Sequence, residues 1–347
     1  MRRAVIVATL VGVIGFTVLV ERVGIGAIGR AMQTLGWGGF AAIVLFHLGV
    51  ITVTGFAWSL QARDRGEGRR RCFIWGRLVR DSAGETLPFS QVGGFVMGAR
   101  AASLCGVAGW FAAASTVVDV TVELAARVPY MVLGLGLMAW QGLGSQATVT
   151  MLAATLLIAV GAAIFVVLQG RGAGLIAGLG ARVVPQWLAG GSTAAGGVLE
   201  TIRAIHARRG ALLRAFAVHC CGWMLSGFEV ALPLWLMGKP VWIGAGIAID
   251  CLVSGIRSAA FLVPSAVGVQ EGAYVVVCGL FGIDPQVALA LSLLRRGRDF
   301  AIGIPALLAW QMLEGQTAWR GMAGGDAGSL LLPMQAAPGS TRPDGPA

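Results

Sequence analysis

The stretch from Val263 to Gln311, VPSAVGVQEGAYVVVCGLFGIDPQVALALSLLRRGRDFAIGIPALLAWQ, is apolar enough to lie in a bilayer yet interrupted in the ways that cost most there. Pro264 removes a backbone donor, and Gly268, Gly272, Gly279 and Gly282 weaken helix continuity. Glu271 sets a carboxylate in the apolar run, and Arg295, Arg296, Arg298 and Asp299 crowd charge into the next one. Broken helices and ionisable groups at membrane depth survive only when buried in protein or lining a wet cavity. A chain built around such a stretch is expected to receive a polar-headed ligand or an ion there. Arg295–Asp299 has a second reading as a helix end at the cytoplasmic interface. Asp284–Leu294 would then be a short helix and Phe300–Gln311 a separate half-span.

Only 12% of the 347 residues are charged and 56% are hydrophobic. A soluble domain carries roughly a quarter charged residues. So few charges cannot cover a soluble surface, and the chain reads as an all-α, polytopic integral membrane protein. About 8 transmembrane helices are expected, with two re-entrant or broken ones. The net charge of +10 is almost wholly arginine, since Lys239 is the only lysine. These arginines lie between apolar runs, as topology determinants do, rather than on a polar nucleic-acid-binding face. The six cysteines fall mostly in apolar segments without a CxxC pair, and read as small apolar fillers rather than a zinc site or disulfide framework.

Taken in order, Arg2 and Arg3 precede an apolar run, Ala4–Val20, with no small-residue cleavage site after it. That is an uncleaved first span with a cytoplasmic N-terminus. A second span runs from about Trp37 to Leu60. Arg63, Arg65, Arg69, Arg70, Arg71, Arg77 and Arg80 follow within eighteen residues, and a cytoplasmic topology anchor is favoured over lipid recognition for them. Leu87–Trp110 opens Leu-Pro-Phe-Ser-Gln-Val-Gly-Gly and carries Arg100 at its middle, where an arginine costs about 2.5–3.5 kcal/mol in a spanning helix. It either dips into the membrane and returns or lies along its surface.

Ala112–Trp140 reads as one long helix with Asp119, Glu123 and Arg127 on a single face, and Glu123–Arg127 in the favourable order for a pair. Thr148–Leu168 is a plain span. Gly170–Gly210 is a second basic cytoplasmic segment containing an amphipathic helix, Val198–Arg209. Ala211–Leu236 spans with Glu229 inside, and Trp242–Leu262 returns with Asp250 and Arg257. The single transmembrane domain is expected to cover 1–313, and 314–347 to be a disordered tail. Pro88 and Pro264, each followed by Val-Gly, form a short internal echo of the kind that marks a midplane site between two transporter halves, with chance similarity as its rival.

Three stretches carry a family resemblance: Leu87–Gly94 followed by Arg100, Ala114–Leu124 with Asp119 and Glu123, and Val263–Gly272. In that order they resemble the membrane portion of lysylphosphatidylglycerol synthases, and most closely the branch described as hopanoid-biosynthesis-associated membrane proteins. The resemblance implies a flippase-like, lipid-handling fold. It does not imply aminoacyl-lipid synthesis, which in the full-length enzymes belongs to a soluble domain following the membrane part. The family pattern places an Arg-Glu pair in the last motif. Here Gln270 stands in the arginine's place beside Glu271, so that position supplies no positive charge.

The candidate ligand-binding residues are Gln91, Gly93, Gly94, Arg100, Asp119, Glu123, Pro264, Gly268, Gln270 and Glu271. The expected function is handling or translocation of a hopanoid or other polar-headed membrane lipid. Neither catalytic activity nor a cofactor or metal is expected, and nucleic acid is not an expected partner. The expected location is a bacterial inner membrane. A scaffold that recruits lipid-synthesis enzymes is the alternative, followed by an intramembrane enzyme on a lipid headgroup.

Overall fold

In a computed structural model the described residues are 25–62, 67–86, 91–142, 149, 194–259 and 266–329. The expected spans Ala4–Val20 and Thr148–Leu168 (Val149 apart), together with Pro88 and Pro264, lie outside them. The described residues form nine helices and no strand: α1 Ile25–Ser59, α2 Arg70–Thr86, α3 Gln91–Leu104, α4 Gly109–Trp140, α5 Ala194–Ala207, α6 Arg209–Leu236, α7 Ile243–Ala259, α8 Val269–Leu280 and α9 Pro285–Ser329. The all-helical expectation is met. Gln33–Ser59, Gly109–Trp140 and Arg209–Leu236 are long and apolar enough to cross a membrane. Leu45, Val132 and Leu213 stand more than half exposed on them, as lipid-facing side chains do.

Gly36 adopts φ 64°, ψ 176° and kinks α1 just before Trp37, where the second span was expected to begin. Helix α3 has 14 residues, about 21 Å at 1.5 Å per residue, too short for the ~30 Å hydrocarbon core. It packs along α2, a helix whose arginines were expected in a cytoplasmic basic segment. The contact is close because both helices offer glycine. A Cβ on Gly98 would lie 2.6 Å from Arg80 Cβ and 2.8 Å from the Gly76 carbonyl oxygen. A Cβ on Gly94 would lie 2.7 Å from the Arg80 carbonyl oxygen. Cys72 and Cys105 form a disulfide, Cα–Cα 5.3 Å, that ties the start of α2 to the residue after α3. This corrects the reading of those two as fillers. The other four cysteines are free.

Helices α6 to α9 repeat the plan of α1 to α4. In each series a long helix is followed by two short ones, then by a long helix with an internal proline, Pro129 in α4 and Pro305 in α9. Helix α1 carries His47, seven intervening residues and Gly55-Phe56; α6 carries His219, seven intervening residues and Gly227-Phe228. Both glycines admit the next helix. A Cβ on Gly55 would meet Ile74 Cα of α2 at 2.7 Å, and one on Gly227 would meet Ile247 Cα of α7 at 2.9 Å. The Pro88–Pro264 echo is therefore accompanied by matched landmarks in both series.

One core cluster groups Trp58, Phe73, Phe111 and Val118 with Ile202 and Ile205 of α5. These two residues and Val198 form the apolar face expected of α5. The other cluster groups Tyr130, Leu234, Ile249, Tyr274, Leu289 and Leu291 around α4 and α6 to α9. Two compact units divide the chain at Leu307. Helix α9 runs unbroken through Arg295–Asp299, so the proposed helix end and separate half-span are corrected. It also continues to Ser329, so residues 314–329 of the expected disordered tail are helical.

Candidate functional site

The charges that interrupt the apolar segments are gathered into two buried clusters. In the first, Arg77 and Arg80 stand three apart on α2, both under 10% exposed, and face α4. Arg77 grips Glu123 bidentately, Nη1 to Oε2 at 2.9 Å and Nη2 to Oε1 at 2.6 Å, and its Nε donates to Asp81 Oδ2 at 2.6 Å. Arg80 donates to Asp119 Oδ2 at 3.0 Å and to Glu123 Oε2. Arg77 also stands 3.7 Å from Asp119. His219 of α6 sets Nε2 3.0 Å from Asp119 Oδ1. Asp119 is fully buried, so removing its partners would strand a carboxylate away from water. Arg69, Arg70 and Arg71 are exposed as a topology anchor requires, but Arg77 and Arg80 are not part of it. Glu123 takes these two arginines in place of the expected Arg127.

In the second cluster the roles are exchanged. Asp250 of α7 accepts from Arg295 of α9 at 2.9 Å, from Tyr130 Oη at 2.9 Å and from Ser226 Oγ at 2.9 Å. Arg295 also donates to Tyr274 Oη at 2.6 Å. Glu229 of α6 accepts from Arg298 at 2.9 Å, stands 3.7 Å from Arg295 and meets His47 Nδ1 of α1 at 2.5 Å. Arg298 also donates to Asp299 Oδ1 at 2.7 Å. Buried ion pairs persist when extra hydrogen bonds satisfy the remaining lone pairs, and here Asp250 and Glu229 each have more than one partner.

Glu271, fully buried, has no vacant oxygen. Its Oε2 accepts the Gly268 backbone N–H at 2.8 Å, capping α8, and its Oε1 accepts Arg296 Nε at 2.5 Å. Arg296 Nη2 also reaches the Ala266 carbonyl oxygen at 3.5 Å. Ala266 has φ 47° and Gly268 φ 78°, so Arg296 and Glu271 together hold a turn that an ordinary residue resists. The positive charge that Gln270 cannot give Glu271 comes instead from α9. Gln270 donates to Ser292 Oγ at 3.2 Å. Gly93 and Arg100 are half-buried on α3, Gln91 opens that helix, and Gly94 packs on the α2 backbone.

Two arginines differ from the rest. Arg127 donates Nη2 to the Ser254 carbonyl oxygen at 3.0 Å, Ser254 Oγ at 2.6 Å and Ser258 Oγ at 3.1 Å, lies over the Trp223 ring and, among the described residues, pairs with no carboxylate. Its Nε is buried without a partner. Arg257, near the end of α7, donates to Glu85 near the end of α2 at 2.6 Å. This pair joins α2 to α7, the first helices of the α2–α3 and α7–α8 hairpins, and its side chains are 26% and 35% exposed.

A family model described as Lysylphosphatidylglycerol synthase TM region matches residues 4–306. The chain belongs to that family. The matched region ends one residue before the boundary between the two compact units. No curated protein and no solved structure matches the chain. As a member of the lysylphosphatidylglycerol synthase transmembrane-region family with several apolar helices, it is a multi-pass membrane protein of a lipid-related family.

Within this family member, Asp119, Glu123 and Glu271 were legible as interior charges because each interrupts an apolar run. Their partners were not. Arg77 and Arg80 were hidden in an arginine-rich stretch, and His47, Glu229 and Arg298 pair across more than 60 residues. The repeated His-x7-Gly-Phe was the available signal. Among the described residues no group of three or more His, Cys, Asp or Glu is arranged to hold a metal ion.

Proposed function

We propose that the chain is a flippase-like protein that takes the polar head of a membrane lipid between its two hairpins and carries it across, while the tail stays in the bilayer. No covalent change to the lipid is involved. The lipid is a hopanoid or another polar-headed lipid, and the membrane is a bacterial inner membrane with the N-terminus in the cytoplasm. The reading rests on the Glu85–Arg257 pair, which joins α2 to α7 and in which both partners are at least a quarter exposed, whereas the arginines of the two clusters are nearly buried. A headgroup phosphate or hydroxyl can compete for Arg257 there. Arg127 of α4, held by Ser254 and Ser258 with no carboxylate partner among the described residues, supplies a second cation against the same helix α7.

The test is movement of a labelled lipid between leaflets of vesicles holding the full chain. Arg257→Gln and Arg127→Gln should each slow it about tenfold or more, the loss of one charge-assisted contact of ~1.5–3 kcal/mol. Wild-type rates in both variants would sink the reading. Mass spectrometry of co-purifying lipid identifies the head, and hopanoid in the bound fraction is the expected result. A scaffold role is favoured by one observation, that Asp119, Glu123 and Glu271 are already satisfied within the protein. Recruitment of lipid-synthesis enzymes with no lipid movement would support it instead.

A further inference from the structure

The two clusters have the same charge count. The first sets Arg77 and Arg80 against Asp81, Asp119 and Glu123; the second sets Arg295 and Arg298 against Glu229, Asp250 and Asp299. Among the described residues, two arginines facing three carboxylates leave one negative charge in excess. Each cluster then holds one histidine: His219 against Asp119, and His47 against Glu229. The two histidines occupy matching places in the repeated His-x7-Gly-Phe stretches. Arginine does not give up its proton in proteins, and histidine alone among side chains ordinarily changes charge between about pH 5 and 8. One proton on each histidine makes its cluster neutral.

From this geometry and count we infer that His47 and His219 are proton-binding sites, one per half, and that the proton is the ion that drives the lipid movement proposed above. His219 is 1% exposed, with Nε2 on Asp119 and Nδ1 buried without a partner. It is faced by Asp119 and Glu123 from α4 and, through Asp119, by Arg80 and Arg77 from α2. A proton on this ring turns the Asp119 contact into a charge pair and lets the carboxylate be shared away from Arg80. His47 is faced by Glu229 from α6 and, through it, by Arg298 and Arg295 from α9; Arg295 also holds Asp250 of α7 and Tyr274 of α8. A proton there competes with two arginines for one carboxylate.

Arg127 adds one positive charge between the clusters, within electrostatic reach of Glu123 and Asp250, but gives its hydrogen bonds to Ser254 and Ser258. Helix α6 carries both His219 and Glu229, ten residues apart, so each proton event acts on the same helix. A proton arriving in one half is thereby linked to the partners of the other.

The inference rests on the translocation reading, and the experiment separates the two. The chain has three histidines, so ring NMR of isotope-labelled histidine in the full chain reads them individually. The rings of His47 and His219 should each take up a proton as the pH is lowered, each signal disappearing in His47→Gln or His219→Gln. In vesicles, a gradient of about two pH units should shift lipid between leaflets several-fold, with a ceiling of about 100-fold for one proton per lipid. Either glutamine variant should respond to the gradient less than twofold, while His206→Gln behaves as wild type. Rings that keep one state at every pH at which the chain stays folded overturn the proton sites, a result the wild type gives without any variant. Lipid movement that ignores the gradient overturns the coupling. Wild-type vesicles that move no lipid overturn the translocation reading, while the ring titrations still decide proton binding.

Discussion

The two halves of the interior place opposite charges at matching positions. Three residues after the isoleucine that meets the helix-packing glycine, α2 has Arg77 and α7 has Asp250. Ten residues before the internal proline, α4 has Asp119 and α9 has Arg295. Arg77 stands 3.7 Å from Asp119 in one half, and Asp250 2.9 Å from Arg295 in the other. The exchange has a consequence for the histidines. His219 can meet Asp119 directly, but a cation at that place, Arg295, offers His47 nothing. Glu229, where α1 has Ala57 at the matching place, fills the gap by binding His47, Arg298 and Arg295 at once. The pairing of short helices with long ones is retained while the sign at each place is free, because what membrane depth demands is neutralisation.

The comparison is broken most severely by removing one member of a buried pair. Arg295→Met leaves Asp250 and Glu229 short of a partner and should cost about 3–5 kcal/mol, read as a lowered unfolding midpoint in detergent. Arg77→Met should cost a comparable amount if the halves are alike, since Glu123 and Asp81 lose the same donor. A much smaller loss in either half would show that the two clusters do not share one role.

Glycine contacts come next. Gly227→Ala sets a methyl 2.5 Å from Ile247 Cγ1 and 2.9 Å from its Cα, and Gly98→Ala sets one 2.6 Å from Arg80 Cβ. Each should destabilise by about 1–3 kcal/mol through forced separation of its helix pair. Gly49→Ala, with open space at its Cβ position, should stay within about 0.5 kcal/mol of wild type or gain slightly. Equal midpoints for all three would contradict the close approaches.

Among the ion pairs, the smallest effect on stability is expected where the halves meet. Glu85→Gln removes a partly exposed pair and should change the unfolding midpoint by about 1 kcal/mol or less. Lipid movement is expected to change nonetheless, by several-fold, which separates a working contact from a structural one.

The long helices were legible in the sequence because their ends coincide with local signals: Gly36 before Trp37, and Gly238-Lys239-Pro240 after α6, where Gly238 has φ 73°. The short α3 was legible from Arg100 and the proline–glycine opening, but its partner α2 was not, because its arginines read as part of a cytoplasmic anchor. The charged interior was not, because pairing is a property of helix faces brought together. Arg295 and Arg298 resemble a helix end until Asp250 and Glu229, 45 and 69 residues earlier, are placed against them. Glu271 resembled a ligand-binding group for the same reason, with Arg296 twenty-five residues away on another helix.

The central claim is that the two hairpins meet at Glu85 and Arg257 and that lipid passes where they meet. Cysteines at both positions, in a chain whose free cysteines are replaced by serine, test it in the membrane. A flexible thiol cross-linker should join Glu85→Cys to Arg257→Cys in one chain and stop lipid movement, with recovery after cleavage of the linker. Failure to cross-link, or a fully cross-linked protein that moves lipid at the uncross-linked rate, would contradict the account.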